Sequence, residues 1–194
     1  PPMEYVLETA KRVATDKGVL LLVNNYTGDR MAFEMAAEIA EAEGIKVRTL
    51  FIDDDVAVQD SLYTVGRRGV AGNFFVIKAV GAAAEAGADL DELVRIGEKV
   101  NAATRSMGLA LTACTPPAKG SPLFELGDDE IEVGVGIHGE PGRRRSKMLS
   151  ATEIVDELLG AIVPDLPFEK GDRVALMVNG LGGTPISELY LLYG

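Results

Sequence analysis

The chain has 194 residues, 47% of them hydrophobic, with a net charge of −11 and a single cysteine, Cys114. This composition allows a sizeable buried core, while the acidic balance disfavours nucleic acid and anionic membranes as partners and favours a small molecule or a protein. One cysteine excludes an internal disulfide, and we find neither a signal-peptide pattern nor an apolar membrane-spanning stretch, so we expect a cytoplasmic protein.

The first half of the chain has the pattern of an α/β layer. The expected elements are helices at 3–16, 30–43, 72–86 and 89–105 and strands at 19–23 and 45–52. Two strands joined by a helix through short connections form a βαβ unit. We therefore predict that the two strands are parallel and that the crossover is right-handed.

The second half is less regular. The expected elements are strands at 107–114, 130–137 and 173–178, a loop at 115–122, a helix from 151 to 163 and a last helix that begins at Pro185. Ser150 and Glu153 form a capping box, and Thr184 is expected to cap the last helix. The prediction is an α/β protein with two subdomains: 1–104, a βαβ-type parallel or mixed sheet with flanking helices, and 105–194, a smaller α/β sheet domain.

The only histidine, His138, lies in the glycine-rich segment GVGIHGEPG at the end of an apolar run. Glycines allow backbone conformations that other residues resist, and small neighbours leave the imidazole open to a molecule that must approach closely. His138 is therefore a candidate catalytic residue, and Gly136 and Gly139 are candidate substrate-binding residues. A histidine that only packs or hydrogen-bonds at a strand end is the alternative.

Asp29 follows the first predicted strand, in the segment NNYTGD that begins at Asn24. Open α/β sheets usually bind ligands at the carboxyl ends of their strands. A carboxylate at this place can act as a general base toward a substrate hydroxyl. Aspartate is also a favoured helix N-cap, so its position alone leaves catalysis and capping equally open.

Two charged clusters have structural explanations that compete with function. Asp53, Asp54 and Asp55 could bind a divalent cation through carboxylate oxygens, although acidic turns and caps are common in solvated loops. The basic residues at 67–68 and 143–145 could receive a phosphate or an acidic partner surface. Solvated surface positions are the default expectation for both basic groups, and the second is expected in a mobile loop.

The glycine-rich stretch NGLGGT at 179–184 is similar to an anion-binding loop at a helix N-terminus. It lacks the lysine of a P-loop and follows no dinucleotide-binding fingerprint. By itself it is weak evidence for nucleotide binding.

Five segments occur in a fixed order: NYTGD at 25–29, IDDDVAV at 52–58, GRRGVAG at 66–72, GVGIHGEPG at 134–142 and GGTPISELY at 182–190. Together they closely resemble the substrate-binding K subunit or domain of dihydroxyacetone kinases. The resemblance covers essentially the whole chain, and five ordered motifs are far more specific than any one of them.

The resemblance implies a specific chemistry. The histidine that matches His138 forms a covalent hemiaminal with the substrate carbonyl, which selects short ketones and aldehydes over polyols such as glycerol. The aspartate that matches Asp29 is the acid/base for the hydroxyl that receives phosphate. Asn24, Gly136 and Gly139 are the further expected substrate-binding residues, and Asn24 stands where many members have a lysine.

The resemblance also implies partners. Nucleotide is carried by a separate L subunit or domain, either as ATP with magnesium or as a tightly held ADP rephosphorylated by an M subunit of the phosphotransferase system. This chain is therefore expected to bind no cofactor or metal itself and to form a homodimer. Members carry an upstream glycine-rich segment with a second histidine, so we expect this sequence to be an interior piece of a longer protein.

Two alternatives stay open at this point. One is a non-catalytic paralogue that binds the ketone and acts as a transcriptional co-activator. The other keeps the chemistry and changes the substrate to a four-carbon ketose such as erythrulose.

Overall fold

The structure is a computed structural model that describes residues 1–59, 66–166 and 169–194. The chain divides into two compact units. One contains Pro1–Asp55 and Gln59–Arg105, and the other contains Val56–Val58 and Ser106–Gly194. The short segment Val56–Val58 thus belongs with the second unit, although it lies inside the sequence range of the first. The subdomain limits 1–104 and 105–194 stay a prediction.

The first unit is an α/β layer built on a parallel pair of strands. Its elements are α1 (Met3–Val13), β1 (Val19–Asn24), α2 (Thr27–Ala42), β2 (Val47–Ile52), α3 (Gly72–Glu85) and α4 (Leu90–Ala102). Strands β1 and β2 run parallel, from Val19 opposite Val47 to Asn24 opposite Ile52. The predicted parallel pairing of the two strands is confirmed.

Alternating side chains of β1 divide the core of this unit between two faces. Val19, Leu21 and Val23 join a cluster with α1 and α2. The residues between them, Leu20 and Leu22, pack against the cluster that β2 forms with α3 and α4. This period of two is what a strand covered on both faces requires.

Helix α2 begins at Thr27, three residues earlier than the prediction of 30. Asp29 therefore lies in the first helical turn and not in the turn before the helix. The N-cap is Tyr26, and no side chain caps the helix. The capping explanation of Asp29 is wrong.

The second unit contains a small antiparallel sheet and two helices. Its elements are β3 (Leu109–Ala110), β4 (Glu130–Val133), β5 (Arg144–Lys147), α5 (Ala151–Ile162), a short 3₁₀ turn (Val163–Asp165) and α6 (Ile186–Tyr193). The strand order is β3-β4-β5 with β4 in the centre. The molecule is thus α/β, with a parallel pair of strands in one unit and an antiparallel sheet in the other, as the predicted fold class states.

The capping box that opens α5 is confirmed. The Ser150 hydroxyl accepts from the Glu153 amide, and the Glu153 carboxylate accepts from the Ser150 amide and hydroxyl at 2.8 and 2.7 Å. These hydrogen bonds, the one from the Ser150 side chain first, lower the pKa of Glu153 below its ordinary value.

Four predictions in this unit are wrong. The strand predicted at 107–114 pairs only at Leu109–Ala110, and 130–137 stops at Val133 because Gly134 takes a φ of +83°. Residues 173–178 have no regular secondary structure, and the basic stretch after residue 143 forms strand β5 where a mobile loop was expected.

The last helix also begins differently from the prediction. Pro185 is its N-cap and not its first residue, and the Thr184 hydroxyl donates to the Leu181 carbonyl without capping the helix. Among the described residues, no helix has the length and apolar character needed to cross a membrane.

Candidate active site

His138 lies in a tight loop between β4 and β5, which we call the histidine loop (residues 134–142). The Gly136 amide donates to the Glu140 carbonyl and the Gly139 amide donates to the Gly136 carbonyl, each at 3.0 Å. Gly134 and Gly139 have φ values of +83° and +79°, which side-chain-bearing residues rarely adopt. The loop therefore has one defined shape that depends on its glycines.

Close packing is a second reason why the histidine loop needs glycines. A Cβ atom on Gly142 would collide with the Val133 carbonyl oxygen. A Cβ on Gly139 would lie 2.7 Å from Leu123 Cδ1. The Leu123 amide in turn donates to the Cys114 carbonyl at 3.1 Å, so the long connection between β3 and β4 packs against the histidine loop.

Arg143, directly after the histidine loop, connects the end of this loop to the segment Val56–Val58. Its Nε and Nη2 donate to the carbonyls of Ala57 and Val56, both at 2.8 Å, and its amide donates to the Val133 carbonyl at 2.8 Å. Glu132 Oε1 accepts from the Gly142 amide at 3.0 Å. The guanidinium of Arg143 is thus used within the second unit and is not a solvated phosphate receptor.

The other two arginines of the triplet are also paired. Arg144 Nη2 lies 2.9 Å from Glu157 Oε2, and Arg145 lies within 3.8 Å of the carboxylates of Glu130 and Glu132. These are partly exposed contacts on strand β5. They give no support to a phosphate site at 143–145.

The imidazole of His138 is both accessible and held. Its side chain is 58% exposed, and Nδ1 lies 2.8 Å from Glu140 Oε1. Glu140 Oε2 accepts from the His138 amide at 3.0 Å, and the Glu140 side chain is only 9% exposed. One buried carboxylate therefore contacts both the ring and the backbone of the histidine.

Asp29 lines a pocket of about 190 Å³ at the carboxyl end of β1. Asn24 and Asn73 supply its other polar side chains, and Phe33 and Ile77 are among its apolar walls. Asp29 Oδ1 lies 3.5 Å from the Pro1 nitrogen. The Asp29 side chain is 28% exposed, so a small polar molecule in the pocket can reach its carboxylate.

Asn24 packs tightly at the floor of this region. A Cβ on Gly69 would lie 2.9 Å from Asn24 Oδ1, which is buried and accepts no hydrogen bond from the described residues. Its neighbour Asn25 is held differently: Nδ2 donates to the Arg67 carbonyl at 2.7 Å and Oδ1 accepts from Arg30 at 3.1 Å.

The acidic turn after β2 has structural uses. Asp54 accepts from the amides of Val70 and Gly72 at 2.9 and 2.8 Å, and a Cβ on Gly72 would collide with it. Arg68 Nε donates to Asp55 Oδ2 at 2.7 Å, and both side chains are fully buried.

Asp53 accepts from Asn101 Nδ2 at 2.8 Å. Across the described ranges, no group of three or more His, Cys, Asp or Glu side chains is arranged to hold a metal ion. Arg68 was expected at a solvated surface position. That prediction is wrong, because Arg68 is buried and its charge is paired with the buried carboxylate of Asp55.

The predicted site residues fall into two groups. Asp29 and Asn24 share the pocket of the first unit, whereas His138, Gly136 and Gly139 belong to the histidine loop of the second. The structural roles of Glu140, Arg143 and Arg68 were not predicted, although each residue lies inside or beside one of the glycine-rich or basic segments of the sequence. Their roles depend on contacts that no spacing rule reveals, such as the hydrogen bonds of Arg143 to residues 86 and 87 positions earlier.

The sequence profile of the Dak1 domain matches residues 1–194. The chain belongs to the Dak1 domain family. It is 51% identical over 191 residues to a protein of Listeria innocua named PTS-dependent dihydroxyacetone kinase 1, dihydroxyacetone-binding subunit DhaK, covering 98% of this chain and 58% of that protein. This Dak1 chain thus spans less than two thirds of the length of such relatives.

Solved structures of the family agree. The dihydroxyacetone kinase of C. freundii superimposes with a TM-score of 0.91 at 33% identity, over all of this chain and 35% of that one. A protein described as the dihydroxyacetone kinase operon co-activator Dha-DhaQ also gives 0.91, at 31% identity over all of this chain and 60% of that one. The fold of this Dak1 chain is therefore similar both to that of a protein described as a kinase and to that of a protein described as an operon co-activator.

Proposed function

We propose that this chain is part of the dihydroxyacetone-binding K component of a dihydroxyacetone kinase. In this proposal it binds dihydroxyacetone covalently through His138 and readies it for phosphoryl transfer from a partner L subunit or domain. The observation that carries the proposal is the accessible imidazole in the histidine loop, held by Glu140 and bordered by Gly136 and Gly139. The names of the relatives support the same ketone and the same reaction.

The covalent step is an addition of imidazole to a carbonyl. A ring nitrogen lone pair of His138 attacks the ketone carbon, and the new C–N bond forms as the carbonyl π pair moves onto oxygen. The oxygen gains a proton and the ring loses its N–H proton, both exchanged with solvent. The product is a neutral hemiaminal. Glycerol has no carbonyl carbon and cannot form it.

Asp29 is proposed as the acid/base of the transfer step. Its carboxylate takes the proton of the terminal hydroxyl as that oxygen attacks the phosphoryl group. Its place at the carboxyl end of β1 suits this role. Asn24 is proposed to contact the substrate as a neutral amide, where many family members have a charged lysine.

The donor side of the reaction is proposed to lie on partner chains. ATP with magnesium, or ADP rephosphorylated by a phosphotransferase-system M subunit, is carried by the L partner. This chain is proposed to work as a homodimer in the cytoplasm and to supply no nucleotide or metal site of its own.

Crystallography of the intact parent protein with dihydroxyacetone tests the covalent step. We expect continuous density from a His138 ring nitrogen to the ketone carbon, no adduct with glycerol, and no adduct in His138→Asn. A ketone bound without a bond to the ring, with His138 turned away, would overturn the assignment. Density is the better measurement because so labile an adduct is lost during a chemical quench.

A co-activator that does not turn over substrate is the second candidate, favoured by the close fold of Dha-DhaQ. Supplying the parent protein with L and a phosphoryl donor separates the two. The kinase makes dihydroxyacetone phosphate, whereas a co-activator binds the ketone without turnover and shows a ketone-dependent interaction with a regulator. Comparing turnover of dihydroxyacetone and erythrulose in the same assay distinguishes the substrates.

A further inference from the structure

Glu140 makes contacts with His138 that neither the reaction nor the glycine pattern requires. Its two carboxylate oxygens are divided between the ring and the backbone of the same histidine, at 2.8 Å to Nδ1 and 3.0 Å to the amide nitrogen. The carboxylate is nine-tenths buried, whereas more than half of the imidazole is exposed. The Glu140 carbonyl also accepts from the Gly136 amide, so the backbone that carries this carboxylate is held within the loop.

An ionised carboxylate can only accept hydrogen bonds. Nδ1 of His138 must therefore be the donor in this contact, and in a neutral ring the lone pair then lies on Nε2. We propose that Glu140 is a positioning residue that holds His138 as the Nδ1–H tautomer and thereby orients the ring for the proposed attack on the carbonyl. The part that concerns attack rests on the proposed function, while the part that concerns the tautomer does not.

The same contact supports the adduct once it forms. Attack through Nε2 leaves a positive charge on the ring and a negative charge on the former carbonyl oxygen. The oxygen takes a proton from solvent, and the Nδ1 proton moves along its hydrogen bond to Glu140 and then to solvent. The balance is the addition of one N–H across one C=O bond. A buried carboxylate at 2.8 Å stabilises the cationic ring that precedes this proton loss.

The tautomer can be measured directly, because the 194-residue chain contains one histidine. A long-range ¹H–¹⁵N spectrum at about pH 8, where an ordinary imidazole is neutral, shows one imidazole spin system and identifies its protonated nitrogen. We expect the Nδ1–H form in the unmodified chain and a mixture of tautomers in Glu140→Ala. An Nε2–H form in the unmodified chain would overturn the proposal.

Glu132→Gln is the matched control, because Glu132 braces the other end of the histidine loop through Gly142 and does not contact the ring. It is expected to keep the Nδ1–H form. If Glu132→Gln shifts the tautomer as much as Glu140→Ala, the effect belongs to loop shape and the proposal fails. Glu140→Gln keeps an oxygen acceptor for Nδ1 without the charge, so it provides a second test if Glu140→Ala does not fold.

Ketone affinity of the intact parent protein gives the functional readout. We expect Glu140→Ala to weaken dihydroxyacetone binding by about 10- to 100-fold, by analogy with the loss of the carboxylate partner of a metal-binding histidine, with Glu140→Gln between it and the unmodified protein. Unchanged affinity in both variants would contradict the role of Glu140. Absence of any ketone adduct in the unmodified protein would instead contradict the proposed function and leave the tautomer result to decide the role of Glu140.

Discussion

Four aspartates near the strand ends of the first unit differ in what surrounds them. Asp54 and Asp55 are buried and satisfied by two backbone amides and by Arg68, so each stabilises the connection between β2 and α3. Asp53 accepts from an asparagine. Asp29 alone of the four lines the pocket. Residue type and strand-end position are shared, and only the contacts separate structural carboxylates from the candidate acid/base.

Replacing Asp29 with asparagine tests that distinction. We expect Asp29→Asn in the intact parent protein, assayed with L and donor, to lower kcat by about 100- to 10,000-fold, because a positioned general base is lost. Stability should change little, since Asp29 is not the N-cap and asparagine has nearly the same volume. Steady-state kinetics and thermal unfolding measure the two effects.

Glu38→Gln, an exposed carboxylate on the same helix, is the control and should leave kcat unchanged. Near-normal turnover in Asp29→Asn would leave Asp29 with a structural role only.

The sequence alone leads to Asp29 and His138 as proposed site residues, but it does not indicate the residues that contact His138 or its loop. A strand-end carboxylate and a glycine-flanked imidazole are local patterns. Arg143 acts on carbonyls of Val56 and Ala57, and nothing in the local sequence says that a basic residue of an apparent loop will reach a distant segment. Contacts between distant segments come from the fold and not from spacing.

Helices and strands were predictable to different degrees for a physical reason. The four helices of the first unit follow from a 3.6-residue period and local caps or glycines, which act within a few residues. Strands β3, β4 and β5 are two to four residues long and depend on partners far along the chain, such as Ile131 opposite Ser146. The apolar residues around β3 and β4 led to predicted strands that were too long. Strand β5 is basic and has no apolar alternation from which a strand could be predicted.

Glycines within helices allow a paired test of packing. Gly81 of α3 has no atom within 4 Å of a built Cβ, whereas on Gly97 of α4 that atom would lie 3.2 Å from Leu50 and 3.3 Å from Val80, both buried. We expect Gly81→Ala to stabilise the chain by about 0.5–1 kcal/mol through helix propensity. Gly97→Ala should destabilise it by about 1 kcal/mol through overpacking.

Urea unfolding of the two variants measures both free energies. Gly160→Ala of α5, another helical glycine with open space around it, should behave as Gly81→Ala does. Equal stabilisation by Gly81→Ala and Gly97→Ala would show that the core beside α4 is not packed as described.

The capping box of α5 gives a pH-dependent prediction. Hydrogen bonds from Ser150 lower the pKa of Glu153 in the folded state. A lowered folded-state pKa contributes stability that is complete above the unfolded-state pKa and is lost as the pH falls through the folded-state value. Helix α5 should therefore begin to lose its cap as the pH falls below the ordinary range of a glutamate.

An NMR titration of the Glu153 side chain measures this. Ser150→Ala should return the pKa of Glu153 toward its usual value, and Thr152→Ala, an exposed neighbour outside the box, should not. The same pKa in all three proteins would contradict the hydrogen bonds of the box.

At the scale of the whole molecule, charge and loop chemistry bear on nucleotide binding. A net charge of −11 disfavours a polyanion, and the chain has no glycine-rich loop that ends in Lys-Ser or Lys-Thr. The stretch 179–184 points the other way, with Gly182 at a φ of +64° and open space around Gly183. Helix α6 after it has only eight residues and therefore a weak dipole.

We expect this chain alone to show no saturable heat when it is titrated with magnesium-ATP in a calorimeter. When L is added, we expect nucleotide binding to appear, because the nucleotide binds to L. A saturable low-micromolar signal without L, lost when Gly182 and Gly183 are both replaced by alanine, would place the nucleotide on this chain and refute the proposed division between the partners.

Cys114 offers a practical route to these measurements. It is exposed and is the only thiol, and the chain has no tryptophan, so a maleimide fluorophore labels one position without engineering and without competing indole emission. Its carbonyl accepts from the amide of Leu123, whose side chain lies against Gly139 of the histidine loop. A dye at Cys114 therefore reports optically on a segment in contact with that loop, and stopped-flow mixing with dihydroxyacetone can time adduct formation in real time.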